Sequence, residues 1–502
     1  ERNYGAKFEV LVFNKLKEID YEVYQSTTFL NDYTRAIDEG KSRSIWAYWG
    51  VLNVVTEVIA VLTIFAIFAT LHWVIIVYAI VIGIAFIFLG RFNAKISWEL
   101  SEKQKQNYRH RGYVRRMFYL KDAAEDIRTS DFADVLIDMN NEVCDRVINN
   151  TDKYLSKRAT VSSLATFLVK SIYPVALAFV GYMALQEKTL VNVAALIVAA
   201  GSLSSYIWNL SDSIAYLESA GVQGQAVFKI LDQKGVIEVS GTKAADDLKE
   251  ISINNLDFNY GQKQVLKNIN IKINKGDKIA IVGENGAGKT TLVKLLLRLY
   301  DAKDGSISYN GDDYKDIIPA KLRERIGAVF QDFELYAFTI GENVLMRKVE
   351  TPEDEQLVID ALKFSGLYEK CLSYEKGIHT QVTKEFDKEG IELSGGEKQK
   401  LALARTFAGG YDLIILDEPN SALDPLAEAD LYEKMMKLGD DHTLIFISHR
   451  LSTTIKADKI YLIENGEIVE AGNHKELMNI NNGKYRYMFS IQAQNYVNGT
   501  SI

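Results

Sequence analysis

The 502-residue sequence predicts an α-helical membrane domain followed by an α/β domain with a phosphate-binding loop. Long apolar runs fill the residues before about 235, whereas strand-like and helix-like segments alternate after it. The second half also contains IAIVGENGAGKTT (279–291), in which glycines and a Lys-Thr pair follow a β-type run and precede an apolar helix. The length alone exceeds that of one domain. These observations together favour a fused membrane and nucleotide-binding protein.

The membrane domain is predicted from the length of its apolar runs. Ile45 to Gly90 is almost continuously apolar, and a spanning helix needs about 20 residues. This run therefore contains two spans rather than a buried soluble helix pair. Two further runs follow after a charged helical segment. The predicted spans are at about 45–69, 72–90, 159–185 and 190–208.

The charges predict the topology. Lys and Arg concentrate in residues 1–44 and 91–158, while the turns near residues 71 and 187 carry almost none. Under the positive-inside rule the long loops are cytoplasmic, which predicts a multi-pass plasma-membrane protein with lipid around it and the second domain in the cytosol.

The net charge of −8 gives no indication of a nucleic-acid partner. Cys144 and Cys371 follow no metal or disulfide spacing, so both are predicted to be free thiols.

Two charged residues fall within the apolar runs, Glu57 and Lys170. Charge at membrane depth is costly and normally faces a cavity or a partner. We therefore treat both as candidate residues of a translocation pathway, the alternative being a position near the membrane interface. Pro174 should kink the helix that contains Lys170.

The glycine-rich stretch has the spacing G-x-x-x-x-G-K-[ST] of a phosphate-binding loop. Its glycines let backbone N–H groups turn toward an anion, and the following helix adds its dipole. Lys289 is predicted to pair with the outer phosphates and Thr290 to hold Mg²⁺. The predicted nucleotide-binding residues are Gly283, Glu284, Asn285, Gly286, Ala287, Gly288, Lys289, Thr290 and Thr291.

Other polar residues follow predicted strands in the second half. Asp417 ends the buried run LIILD and suits Mg²⁺, and Glu418 can polarise an attacking water. His449 ends the run TLIFIS and can hold the γ-phosphate end of the site. Ser394, Gly395 and Gly396 open a helix and offer a second anion-binding helix start. Tyr260, at the end of ISINNLDFNY, can stack on a base, and Gln331 follows a further strand.

With these residues in this order, the second half resembles the nucleotide-binding domain of an ABC transporter. Its Walker A is Gly283–Thr291, its signature is LSGGE, its Walker B is LIILDE, and its D-loop is SALD with Asp424. Tyr260 matches the A-loop aromatic, Gln331 the Q-loop glutamine and His449 the H-loop histidine. The membrane half resembles the type IV exporter fold, a half-transporter architecture with cytoplasmic helical extensions.

The resemblance implies ATP and Mg²⁺ as cofactors. It assigns catalytic roles to Glu418, His449 and Lys289, and metal roles to Thr290, Gln331 and Asp417. ATP lies between two copies, so the signature residues Ser394, Gly395, Gly396 and Glu397 contact the partner's ATP. Short helices near Tyr24–Leu30 and Tyr119–Asp126 would couple the halves. The predicted domains are a partial transmembrane domain (1–235), a linker (236–248) and the ABC domain (249–495).

Three features depart from the family pattern. The family has six spans, so we expect its first two to lie outside this sequence. Glu397 stands where Gln is usual, and the segment TQVTKEFDKEGIELSGG is lengthened before the signature. Lengthened acidic versions of this segment resemble those of lantibiotic-type peptide exporters, which favours a peptide substrate.

The resemblance leaves other functions open. A multidrug or lipid exporter would use the same scaffold, and a non-transport ABC ATPase would lack the apolar runs. Glu418 is present where half-transporters with a dead site usually lack Glu, so a homodimer is favoured over a heterodimer.

Overall fold

The chain folds into two units, one made of apolar helices and the other of mixed α/β structure. A computed structural model describes residues 2–38, 40–69, 73–187, 193–417, 433–434, 442–448 and 450–498. Unit 1 comprises Glu1–Lys15 and Thr28–Asp232, and unit 2 comprises Leu16–Thr27 and Gln233–Ile502. The short segment 16–27 therefore groups with the α/β unit, although it lies far from that unit in sequence.

Unit 1 is helical throughout its described residues. Its helices are α1 (Arg2–Leu16), α2 (Thr27–Asp38), α3 (Gly40–Ala69), α4 (Trp73–Tyr119), α5 (Lys121–Thr129), α6 (Phe132–Lys170), α7 (Ile172–Glu187) and α8 (Val193–Asp232). Helices α3 and α8 lie side by side, as do α4 and α6. The apolar core between them is formed by Ile64, Ala79, Phe86, Val169, Leu203 and Ile207.

Three segments of the described residues are helical, long and apolar enough to cross a membrane. They are Ile45–Ile67, Ile76–Ser101 and Phe132–Phe179, and they include three of the four predicted spans. The predicted fourth span, 190–208, lies largely in α8, but residues 188–192 are outside the described residues. Its status as a span stays a prediction.

The helix that contains Lys170 breaks at Ser171, as the proline predicts. Pro174 has no N–H, and its ring conflicts with the carbonyl four residues earlier, which is that of Lys170. Helix α6 ends at Lys170 and α7 begins at Ile172.

The predicted short helices at the loop tips are found with shifted bounds. A 3₁₀ helix occupies Tyr21–Gln25 and α2 begins at Thr27, so the short helix predicted near Tyr24–Leu30 begins three residues earlier than expected. The second tip is α5, which begins at Lys121, directly after α4 ends at Tyr119. The first shift arises because a five-residue 3₁₀ turn is too short to show a hydrophobic period.

Unit 2 contains two β-sheets and a group of helices. The strands are β1 (Glu250–Tyr260), β2 (Lys263–Asn274), β3 (Lys278–Val282), β4 (Asp304–Tyr309), β5 (Asp312–Asp313), β6 (Ile326–Val329), β7 (Leu413–Asp417), β8 (Thr443–Ile447), β9 (Lys459–Glu464) and β10 (Glu467–Gly472). The helices are α9 (Lys289–Leu296), α10 (Pro319–Arg323), α11 (Ile340–Leu345), α12 (Pro352–Ser365), α13 (Tyr368–Leu372), α14 (Gly395–Ala408), α15 (His474–Met478) and α16 (Lys484–Asn498).

The larger sheet has the order β10-β9-β3-β8-β7-β6, and its strands β9, β3, β8, β7 and β6 run parallel. Its central strands β7 and β8 are buried at every position, which fits their continuous apolar sequences because helices cover both faces of a parallel sheet. The smaller sheet is antiparallel, with the order β2-β1-β4-β5.

Helices α11 to α14 form a subdomain with a core of its own around Ile340, Val358, Leu362 and Leu401. Local sequence signals set the bounds of α12. Thr351 and Asp354 form a capping box, Pro352 occupies the first turn, and Gly366 ends the helix in a left-handed conformation.

Cys371 lies in the core of this subdomain, where burial raises the pKa of its thiol to about 11. It is therefore a protonated thiol, and Cys144 is likewise free of a disulfide.

The polar linker after α8 is held tightly against unit 2. Arg298, only 1% exposed, donates from Nη2 to Ser240 Oγ at 2.7 Å and from Nε to Asp301 Oδ1 at 3.1 Å, and it also donates to the Ile317 carbonyl. Arg323 forms a bidentate ion pair with Glu238, with distances of 2.8 and 2.9 Å. The segment that the sequence predicts only as a linker is thus an ordered part of the α/β unit.

Replacing Arg298 by Met should destabilise unit 2. A buried charge that loses its partner typically costs about 3–5 kcal/mol, and the change leaves the Asp301 carboxylate and the Ile317 carbonyl without their donor. We expect the unfolding temperature of the purified chain to fall by about 6–15 °C. Lys321→Met is the matched control, because the exposed Lys321–Glu324 pair should contribute little. Equal shifts in the two variants would contradict the proposed role of Arg298.

Candidate ATP-binding site

The phosphate-binding loop connects β3 to α9 in a conformation that requires glycine. Gly283 has φ +151°, and a Cβ at this position would lie 2.2 Å from the Ile463 carbonyl oxygen. Gly288 has φ +106°, and a Cβ there would lie 2.6 Å from Leu266 Cδ2. L side chains are strained at such angles. The glycines therefore let the loop pack tightly against β9 and β2 while it turns into the helix.

Lys289 is the first residue of α9 and points back into the loop. Its side chain is buried, and Nζ donates to the carbonyls of Gly283 at 2.9 Å and Glu284 at 3.0 Å. Glu284, Asn285, Gly286 and Thr290 are exposed, and Ala287 and Thr291 are buried beneath them. The loop thus presents backbone N–H groups, one ammonium and one hydroxyl, which are donors and ligands suited to a phosphate chain.

Strand register brings Asp417 to the same sheet edge as this loop. Asp417 pairs with Ile447 on β8, and Ile447 pairs with Ile281 on β3. Two strand spacings separate Asp417 from β3, which is about 10 Å. The carboxylate is 3% exposed, and the loop begins directly after Val282. The structure therefore brings together the two motifs that lie about 130 residues apart in sequence.

Thr290, Asp417 and Gln331 can supply oxygen ligands for Mg²⁺, the donor type that this ion prefers. Gln331 is exposed two residues beyond β6, whose Val329 pairs with Leu416. Within the described part of the chain no group of three or more His, Cys, Asp or Glu residues could hold a metal by itself.

Tyr260 ends β1 and lies in a cluster of four aromatic rings. Its ring is 4.9 Å from Phe258 and 5.3 Å from Tyr300, both in edge-on arrangements. Burial raises the pKa of the Tyr300 phenol, with smaller contributions from Tyr260 and Tyr21, so this ring stays neutral. Tyr260 itself is only partly buried, which leaves part of the ring available for a base.

The signature segment forms an exposed helix start. Ser394 is the N-cap of α14 and forms a capping box with Glu397, whose carboxylate accepts the Ser394 N–H at 2.8 Å. This hydrogen bond is the main cause that lowers the pKa of Glu397, with a contribution from Lys370 at 3.6 Å. Glu397 therefore caps the helix, a role that Gln can also fill at this position. Ser394 and Gly395 are exposed and Gly396 is half-buried.

Three predicted site residues lie outside the described residues. They are Glu418, Asp424 and His449. The structure describes Asp417, directly before Glu418, and Ser448 and Arg450, on either side of His449. Their roles stay predictions.

Helix α16 contributes two contacts to this site that the sequence does not reveal. The Lys484 ammonium lies 3.6 Å from Glu284 in the phosphate-binding loop and also contacts Glu464, which raises the pKa of Lys484. The Gln492 side chain accepts the backbone N–H of Leu451 at 2.8 Å, two residues after the predicted H-loop histidine. A Lys and a Gln on a surface helix carry no motif, and only the fold connects them to the loops.

Comparison with known proteins agrees with this geometry. Residues 266–421 match the family model described as ABC transporter. Multidrug export ATP-binding/permease proteins from Staphylococcus aureus strains NCTC 8325 and COL are each 37% identical over 270 residues, which cover 53% of this chain and 46% of theirs. The chain thus aligns with about half the length of these relatives.

The solved structure of a bacterial Atm1-family ABC exporter with ATP bound has the same fold over nearly the whole chain. The TM-score is 0.83 with 23% sequence identity, and the match covers 98% of this chain and 85% of that one. The three described helices that are long and apolar enough to cross a membrane agree with this fold. Residues 266–421 therefore form an ABC transporter domain, and the chain as a whole has the type IV exporter fold.

Proposed function

We propose that this chain is one half of an ATP-driven exporter, in which two copies hydrolyse ATP at shared sites. The observation that supports this most strongly is the meeting of Lys289 and Asp417 at one sheet edge, in a chain that also carries membrane-spanning helices. A non-transport ABC ATPase would have no need of those helices.

Hydrolysis forms a bond between a water oxygen and the γ-phosphorus and breaks the bond from that phosphorus to the β–γ bridging oxygen. Lys289 binds the outer phosphate oxygens, and Glu418 orients the water and takes its proton. His449 holds the γ-phosphate end. Thr290, Gln331 and Asp417 would hold Mg²⁺, which would supply positive charge beside the phosphate chain. The products are ADP and phosphate.

The exposed helix start at Ser394 supports a site shared by two copies. Its first turn has N–H groups and a dipole that favour an anion, and Ser394 and Gly395 face solvent within a single chain. We assign this surface, with Asp424 of the D-loop, to the ATP bound by the partner's Lys289. Two identical copies then form two equivalent sites, and ATP binding brings the two cytosolic domains together.

The substrate is proposed from weaker indications. The lengthened segment before the signature favours a peptide, whereas the S. aureus relatives are described as multidrug exporters, which favours small amphipathic cargo. In the membrane half, Lys170 is exposed beside the break at Ser171, and the Glu57 Oε2 atom is buried with no hydrogen-bond partner among the described residues. Both positions suit a pathway that binds charged groups of the cargo.

Glu418→Gln should leave ATP binding intact and slow hydrolysis by about 10²–10⁴-fold, the usual contribution of a positioned general base. Turnover and nucleotide affinity would be measured on the purified, reconstituted chain. Glu353→Gln, an exposed acid-to-amide change in α12, is the matched control and should behave as wild type. Near-normal turnover in Glu418→Gln would show that another group activates the water.

A cysteine at position 170 tests the pathway. In inside-out vesicles, Lys170→Cys should react with a membrane-impermeant thiol reagent without nucleotide and become protected when ATP and vanadate are added. Ala165→Cys, buried on the same helix, is the control and should stay unreactive in both states. Reactivity at position 170 that ignores nucleotide would instead place Lys170 at the membrane interface.

A further inference from the structure

The segment between α1 and α2 is fixed onto the ATP-binding unit by Asp20. Its carboxylate accepts three consecutive backbone N–H groups, from Val236 at 2.8 Å, Ile237 at 2.9 Å and Glu238 at 3.0 Å. Hydrogen bonds to a charged acceptor are stronger than neutral ones. Glu238 is in turn held by Arg323. The 3₁₀ helix Tyr21–Gln25 is therefore anchored immediately before its first residue.

This anchor places Tyr21 against the aromatic cluster of the candidate base site. The Tyr21 ring meets Tyr300 edge-on, with centroids 5.7 Å apart and planes at 85°. Tyr300 meets Tyr260 in the same manner at 5.3 Å and 83°. The Lys294 ammonium, on α9 behind the phosphate loop, lies 5.6 Å from the Tyr21 centroid. The three rings thus form a continuous series of contacts from the segment between α1 and α2 to Tyr260, the residue proposed to stack on adenine.

Edge-on ring pairs have a preferred geometry, so each ring restricts the orientation of the next. Tyr260 lies at the end of a strand and is only partly buried, and its ring is flanked by Phe258 from its own strand and by Tyr300 from outside it. Tyr300 is 4% exposed and is covered on its outer side by Tyr21, which is 36% exposed. Removing the outermost ring would loosen the base-stacking ring without reaching the phosphate loop.

We infer that Tyr21 and Tyr300 are positioning residues for Tyr260, so that the segment Asp20–Gln25 sets the affinity of the site for the nucleoside base and not for the triphosphate. This inference rests on the proposed ATPase function. Because binding couplings are reciprocal, occupancy by the base also stabilises this segment on unit 2. If the aromatic cluster only packed the core, removing one of its rings would not affect binding of the base more than binding of the phosphates.

The test compares ATP with tripolyphosphate, which has the phosphate chain and no base. In the reconstituted full chain, Tyr21→Leu should raise KM for ATP about three- to tenfold, the change that corresponds to one lost ring pair. The inhibition constant of tripolyphosphate and kcat should stay unchanged. Tyr21→Phe, which keeps the ring, should restore the wild-type KM. Tyr260→Leu is the positive control and should show the same base-selective defect.

Each other outcome overturns the inference. Equal rises in KM and in the tripolyphosphate constant would show a general disturbance of the loop. A lower kcat with both constants unchanged would show a structural role only, and an unchanged KM in Tyr21→Leu beside a raised KM in Tyr260→Leu would show that Tyr21 does not position the base site. Absence of ATPase activity in the wild-type chain would refute the proposed function itself.

Discussion

The register of the parallel strands determines where the phosphate-binding loop and Asp417 lie relative to each other. Pairing of β3 with β8, and of β8 with β7, brings Lys289 and Asp417 to one edge of the sheet. A slip of one residue would turn the side chains of a strand to the opposite face. The central strands β7 and β8 are buried at every position, so a slip would require close-packed side chains on both faces to repack. The site is thus a consequence of core packing as much as of its motifs.

Contacts between segments that are distant in sequence also hold the linker and the loops around this sheet edge. The Asp20 carboxylate and Arg323 hold the linker, Arg298 connects it to the helix after the phosphate loop, and Lys484 and Gln492 approach the loops from α16. These contacts connect the linker, the phosphate-binding loop and the last described helix within unit 2.

The sequence predicts those parts of the structure that depend on local patterns. Motif spacing in the sequence predicts the phosphate loop, the acid at the end of β7 and the helix start at Ser394. The length of the apolar runs predicts three spans that the structure supports. The Asp20 contacts join residues more than 200 positions apart, and no periodicity or motif indicates them. Likewise, no sequence pattern distinguishes Tyr21 and Tyr300 from other aromatic residues, and only the fold brings their rings together.

The central claim is that each ATP lies between the phosphate loop of one copy and Ser394 of the other. Two differently tagged chains, both carrying Glu418→Gln and lacking Cys144 and Cys371, would be coexpressed, one with Asn285→Cys and the other with Ser394→Cys. The account predicts a disulfide between the two tags that forms when ATP is added and not without it. No ATP-dependent disulfide between the tags, together with closure inside a single chain that carries both cysteines, would contradict the account.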